Sequence, residues 1–304
     1  MDIKSKIILI YGPTASGKSK FALKLAKKIN GEILNADSMQ IYKQLKILTA
    51  RPSIQDLKKV KHHLYGIIDV NKNFSTGDWL KLSIKKIKEI RKRKKVPIIV
   101  GGTGLYFKAL TEGFVKIPTI PLRARNQIRK LQEKIGQDKF FTQLKKIDPK
   151  VKNKIKKNDT QRSIRAYEIK FYTKKSLFEW FKNSKKFFLD NEFIKIYINY
   201  PRDEVIKKAN LRLNKMIKNG AVIEVKKFNT LKIRKQNSVN KVIGIAEISN
   251  YLNDKCDLEQ AKNLISIKTR QYIKRQFTWA RGQMGNWKHI DPKLSSSDLK
   301  KILR

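Results

Sequence analysis

Over the first 110 residues, short uninterrupted apolar runs alternate with stretches of helical periodicity. That alternation is the pattern of a parallel α/β sheet. Ile7–Tyr11 reads as a strand, and Lys18–Ile29 as an amphipathic helix with Phe21, Leu25 and Ile29 recurring along one face. Residues 32–36 form a second strand, 78–94 a helix, and 96–100 a strand apolar enough to be covered on both sides. From about residue 113 the pattern changes. Pro118 and Pro121 break the chain, and 123–186 then shows helical periodicity with dense lysine. Strand alternation returns at 193–199 and is stopped by Pro201. Helices follow over 203–219, with Gly220 as C-cap, then 221–230, 242–252 and 258–281. The expected fold class is α/β: a P-loop parallel sheet flanked by helices, with a helical insertion domain. Residues 1–112 and 194–304 would form the core and 113–193 the insertion.

Composition narrows the class. The chain has 304 residues, 40% of them apolar and 9% aromatic, too many for a disordered basic tail. The lone Cys256 excludes an internal disulfide and fits a reducing, cytoplasmic setting. No apolar stretch approaches the ~20 residues of a membrane span, and the amino terminus reads as the first strand of the fold. A net charge of +46 points toward a polyanion. Yet 56 of the basic residues are Lys against 15 Arg, a skew that AT-rich codon usage alone produces. The charge is also spread evenly, with 23 basic and 8 acidic residues in 113–195. Charge therefore makes a nucleic-acid partner plausible and locates nothing.

Candidate chemistry is more local. Gly12-Pro13-Thr14-Ala15-Ser16-Gly17-Lys18-Ser19 matches G-x-x-x-x-G-K-[ST] and lies between a strand and a helix, where the motif works. Its backbone N–H groups, the helix N-terminus and Lys18 would cradle phosphates, with Ser19 as a ligand to Mg2+. Enzymes that hydrolyse or transfer nucleotide phosphates usually place a carboxylate at the end of a buried strand. Here 96–100 runs instead into Gly101-Gly102-Thr103-Gly104, and the other candidate, Asp69, follows a His62-His63 segment unlike a buried strand. Asp37, in Asn35-Ala36-Asp37-Ser38-Met39-Gln40 after the second strand, could be a general base, a magnesium ligand or a helix N-cap. Thr103 could hydrogen-bond a ligand or merely sit in a tight turn. Gln161, Arg162 and Arg165 share a helical side, which suits RNA contact or a salt-bridged surface. In 269–281, Phe277 and Trp279 lie among basic residues and fit core packing better than stacking on bases. A zinc site at His62-His63 is unsupported, with three His and one Cys in the chain.

Taken in order, the segments 12–19, 36–42, 49–52, 62–64, 100–106, 148–149, 158–168, 212–220 and 274–281 resemble the tRNA dimethylallyltransferase family of bacteria, also called tRNA isopentenyltransferases. The resemblance implies transfer of a dimethylallyl group from dimethylallyl diphosphate to N6 of the adenine at position 37 of tRNA. It implies that the phosphate loop, Gly12 to Ser19, binds the prenyl diphosphate, and that the adenine is flipped into a channel. On this footing Asp37 is the general base, Thr103 positions the reacting groups, and Arg212 joins Lys18 at the diphosphate. Asp37, Ser38, Met39, Gln40, Thr103, Arg123, Gln161, Arg162, Ser163, Ile164, Arg165, Lys241 and Gly244 would contact the anticodon stem-loop of tRNA. The enzyme would act as a cytoplasmic monomer with Mg2+. The chain departs from the family pattern at Arg51 (often Lys), at Ile245-Ala246 (often Tyr-Lys) and at Lys174 (often Gly). A small-molecule kinase built on the same loop and a non-catalytic RNA-binding module are the rival readings.

Overall fold

The computed structural model describes residues 3–115, 117–182, 184–234 and 236–291. Its centre is an all-parallel six-stranded sheet in the order β3-β2-β4-β1-β5-β6. The strands are β1 (Ile7–Tyr11), β2 (Gly31–Asn35), β3 (His62–His63), β4 (Val96–Gly101), β5 (Phe193–Ile198) and β6 (Lys288–Ile290). The helices are α1 (Lys18–Ile29), α2 (Ile54–Lys59), α3 (Thr76–Lys92), α4 (Gly104–Glu112), α5 (Leu122–Ile147), α6 (Thr160–Thr173), α7 (Leu177–Phe181), α8 (Arg202–Lys218), α9 (Ala221–Asn229), α10 (Ile245–Leu252) and α11 (Leu258–Gln283).

Every residue of β1 is buried because successive side chains enter two covered faces. Ile7, Leu9 and Tyr11 join a core with Trp79, Ile87, Ile99 and Phe107; Ile8 and Ile10 join another with Phe21, Leu25, Ile98 and Val100. Burial of each such side chain contributes roughly 1.5–3 kcal/mol. These two cores hold rigid the carboxyl ends of β1, β2 and β4, where the candidate chemistry lies.

Departures from the pattern have local causes. Helix α3 starts at Thr76 because Ser75 and Asp78 form a reciprocal capping box. Helix α10 starts at Ile245, since Ser238–Lys241 is a 3-10 turn and Gly244 (φ 107°) precedes the helix. The glycine-rich corner after β4 opens α4 instead of ending in a turn. No helix follows Asp37, so it is not a helix cap; turns follow β2. His62-His63 is a strand after all, paired with Ile33 and Leu34 at the half-buried sheet edge, where no apolar run is needed.

The chain divides into two compact units, Glu112–Phe187 and the stretches that flank it. Phe188 and Phe193 pack into the sheet core, so the sheet unit resumes there. Within the insertion, Phe114 pairs antiparallel with Lys185 near its two ends. Phe141 and Leu144 of α5 meet Ala166 and Ile169 of α6 in its core. Gly136 (φ 77°, ψ 165°) breaks α5 into two segments. Lys174 ends α6 in the left-handed region, φ 60°.

Candidate active site

The phosphate loop leaves β1 at Gly12, where a Cβ would stand 2.7 Å from Ser16 Oγ and 3.1 Å from Ile198 Cβ. Ala15 (φ 64°) and Gly17 (φ 87°) curl the backbone so that α1 begins at Lys18. Ser16 Oγ is buried without a partner. Lys18 Nζ donates to Pro13 O at 3.0 Å. Burial, helped by Arg212 and opposed by Asp37, lowers its pKa to about 8. Two distant side chains clamp Thr14: its N–H donates to Gln276 Oε1 (2.9 Å), and its Oγ1 accepts from Arg212 (2.6 Å). Burial also lowers Arg212 from the usual arginine range, while Asp37 opposes the change. Ser19, in the first turn of α1, is exposed.

Opposite the loop, Asp37 is fixed through its main chain and one carboxylate oxygen. Its N–H donates to Asn35 Oδ1 (2.8 Å), and its Oδ1 accepts from Met39 N–H (2.9 Å). No side-chain or backbone group among the described residues bonds its Oδ2, which is left for a ligand. Thr103 Oγ1 accepts from Ser38 N–H at 2.9 Å, and Thr103 N–H donates to Ala36 O, so Thr103 ties the β4 corner to the Asp37 turn. Gln40 spends its amide on Thr49 O and Ala50 O, holding that turn.

A cavity of about 500 Å³ joins these parts. Thr14, Asp37, Ser38, Met39, Thr103, Arg212 and Lys241 line it, and Leu48, Ala209, Leu213, Met216, Val242, Ile243 and Ile265 give it an apolar wall. Six residues of α11 complete it: Ile265, Thr269, Tyr272, Arg275, Gln276 and Trp279. Positions 265, 269, 272, 276 and 279 are three or four apart and 275 adjoins 276, so the six share one helix face. Gln276 is the functional residue the sequence reading missed. It bonds Thr14 N–H and Gly102 O, and its own carbonyl accepts from Tyr11 (3.1 Å). The available signal was an amide set between Tyr272 and Trp279 on one helix face. Burial and Asp37 raise the pKa of Tyr272 well above the tyrosine norm, so its phenol keeps its proton. Phe277 and Trp279 do pack against the core, but Trp279 also walls the cavity, with its indole N–H buried and unpartnered.

Other expected residues lie elsewhere. Gly244 is buried and does not line the cavity; its N–H donates to Glu247 Oε2 (2.8 Å), and a Cβ there would meet Leu48 Cδ2 at 2.8 Å. Arg123, Gln161, Arg162 and Arg165 are exposed on α5 and α6 of the insertion. Ile164 is half-buried. Ser163 is buried, where its hydroxyl donates to Asp159 O and accepts from Gln137, so it secures the start of α6 and offers no outward group. Asp69 accepts from Gln44 and from Asn71 N–H, away from the cavity. His63 Nε2 is paired with buried Glu32 at 2.6 Å. Among the described residues no three of His, Cys, Asp and Glu gather as a metal cage, and no helix is long and apolar enough to cross a membrane.

The fold and site together are those of an α/β protein in which a phosphate loop, a carboxylate with an unbonded oxygen and an apolar wall share one cavity. Residues 40–283 match the family model described as IPP transferase. The tRNA dimethylallyltransferase of Pelagibacter ubique (strain HTCC1062) is 60% identical over 302 residues, covering 99% of this chain and 96% of that one. That of Rickettsia massiliae (strain Mtu5) is 43% identical over 92% of this chain and 78% of its own. Among solved structures, the full-length tRNA isopentenylpyrophosphate transferase of Bacillus halodurans is 31% identical with a TM-score of 0.70, covering 98% and 94% of the two chains. A eukaryotic dimethylallyltransferase acting on tRNA reaches a TM-score of 0.81 at 29% identity, over 96% of this chain and 75% of that one. The chain belongs to the IPP transferase family.

Proposed function

We propose that this chain transfers a dimethylallyl group from dimethylallyl diphosphate to N6 of adenine 37 in tRNA, acting in the cytoplasm as a monomer. The observation that carries the reading is the unpartnered Oδ2 of Asp37 in the same cavity as Arg212 and Thr14 of the phosphate loop. The allylic C1–O bond breaks, a C1–N6 bond forms, and diphosphate leaves. The N6 proton passes to Asp37 Oδ2. An exocyclic amine is a poor nucleophile until its proton has an acceptor, which gives Asp37 its task. Lys18, Arg212 and the loop N–H groups neutralise charge gathering on the departing diphosphate. The apolar wall of Leu213, Met216 and Ile265 suits a branched five-carbon chain and excludes water from it. Flipping an adenine out costs a few kcal/mol, less in a loop than in a duplex, which suits an anticodon substrate.

The oxygen donors present fit magnesium: Ser19 would hold it together with the substrate's own diphosphate, since this cation binds through few protein ligands and keeps several waters. When bound, it supplies further charge neutralisation on the diphosphate. The kinase reading is disfavoured because β4 ends in Gly101 and Asp69 is engaged outside the cavity. Incubation with labelled dimethylallyl diphosphate, magnesium and an anticodon stem-loop carrying adenine 37 should label the RNA, with no ATP turnover. Folded protein that leaves the RNA unlabelled would sink the assignment.

A further inference from the structure

A second feature, in the insertion, lies outside the transfer chemistry. Glu168 of α6 has a side chain only 2% exposed, yet three arginines converge on it. Arg125 Nε and Arg129 Nε of α5 stand 3.7 Å from Glu168 Oε1, and Arg165 donates to Glu168 Oε2 at 3.2 Å. Arg125 and Arg129 are one helical turn apart, as are Arg165 and Glu168, so each helix turns one face to the cluster. A buried carboxylate must be paired, but one arginine is enough for that. Three leave a surplus of two positive charges, and the three side chains remain 40%, 42% and 45% exposed.

The orientation matters as much as the charge. Arg125 and Arg129 turn Nε toward the carboxylate at 3.7 Å, an ion-pair distance too long for a hydrogen bond, and no group among the described residues bonds their terminal amino groups. A guanidinium drawn to the carboxylate on its Nε side can turn its two terminal amino groups to a phosphate as a fork. Such pre-ordering removes part of the side-chain entropy that binding otherwise costs. The residue type agrees. Three of the chain's 15 arginines meet here, although the chain draws its charge mainly from lysine. A diffuse cationic surface needs only lysine, whereas a fork that faces two anions at once requires arginine.

We propose that Glu168 is a positioning residue that gathers Arg125, Arg129 and Arg165 into a preformed clamp for the phosphate backbone of RNA. This rests on the reading of tRNA as the partner. Each neutralised phosphate contributes about 0.7–0.9 to the slope of log affinity against log salt. The decisive variant is Glu168→Gln, which removes a negative charge and keeps the shape. Diffuse electrostatics makes it bind an anticodon stem-loop more tightly; a clamp that has lost its anchor makes it bind more weakly.

The expected result is a loss of about tenfold in stem-loop affinity and KM for RNA, with a salt slope lower by about 1. The KM for dimethylallyl diphosphate and kcat stay unchanged. Arg129→Lys, which keeps the charge and the fold but loses the fork, should give a similar loss and serves if Glu168→Gln does not fold. Equal or tighter RNA binding with an unchanged slope, in Glu168→Gln or in Arg129→Lys, overturns the proposal. A wild-type protein that transfers no prenyl group yet shows the Glu168-dependent RNA affinity would defeat the proposed reaction and leave the clamp standing.

Discussion

At the scale of single residues, the site is a set of groups whose free valences face the cavity because their other bonds are already used. Asp37 gives Oδ1 to Met39 and keeps Oδ2; Gln276 gives its whole amide to Thr14 and Gly102. Gln276→Ala leaves that buried N–H and C=O unpaired, at about 1–3 kcal/mol each. The KM for dimethylallyl diphosphate should rise at least about tenfold. An unchanged KM in steady-state kinetics would show that the loop stands without this brace. Lys18 gives a pH dependence. Its ammonium, with a pKa lowered by burial to about 8, is charged below that pH and neutral above it. In the free enzyme kcat/KM for the prenyl diphosphate should therefore fall above about pH 8. A profile flat to about pH 10 would exclude Lys18 as an anion partner. The loop and Asp37 were legible because their meaning sits in eight and six consecutive residues. Gln276 was not, because it acts on a residue 262 positions away, and only its place between Tyr272 and Trp279 on one helix face betrays it.

At the scale of elements, apolar runs were readable wherever both faces are covered, as in β1 and β4. They failed at the sheet edges, where β3 and β6 need little apolar character to pair. The corner after β4 stayed open between a ligand contact and a tight turn because its glycines serve contacts outside the turn. A Cβ on Gly102 would stand 2.2 Å from Gln276 Nε2, and one on Gly104 2.1 Å from Trp279 Nε1. These glycines let α11 press against the corner, a long-range fact with no local signature. Lys174 is an opposite case. It closes α6 at φ 60°, a region that costs a side-chain-bearing residue roughly 1–2 kcal/mol. Lys174→Gly should stabilise the protein by about 0.5–1 kcal/mol in denaturant unfolding, once the greater freedom of glycine in the unfolded chain is deducted. A lower midpoint would mean that the Lys174 contact with the Phe171 ring outweighs the strain.

At the scale of the whole molecule, the sheet unit carries the transfer cavity and the insertion carries the arginine cluster, so the net charge of +46 tells little about either. What organises both is scarcity. One cavity carboxylate, Asp37, acts on both Lys18 and Arg212, and one buried glutamate faces three arginines. The central claim is that Asp37 receives the proton where the allyl group meets the adenine. It is tested most directly by measuring prenyl transfer and stem-loop affinity together in Asp37→Ala. Transfer should fall by at least about a thousandfold, within the span of general-base catalysis, while the RNA remains bound with nearly wild-type affinity. Full transfer activity in that variant would contradict the account.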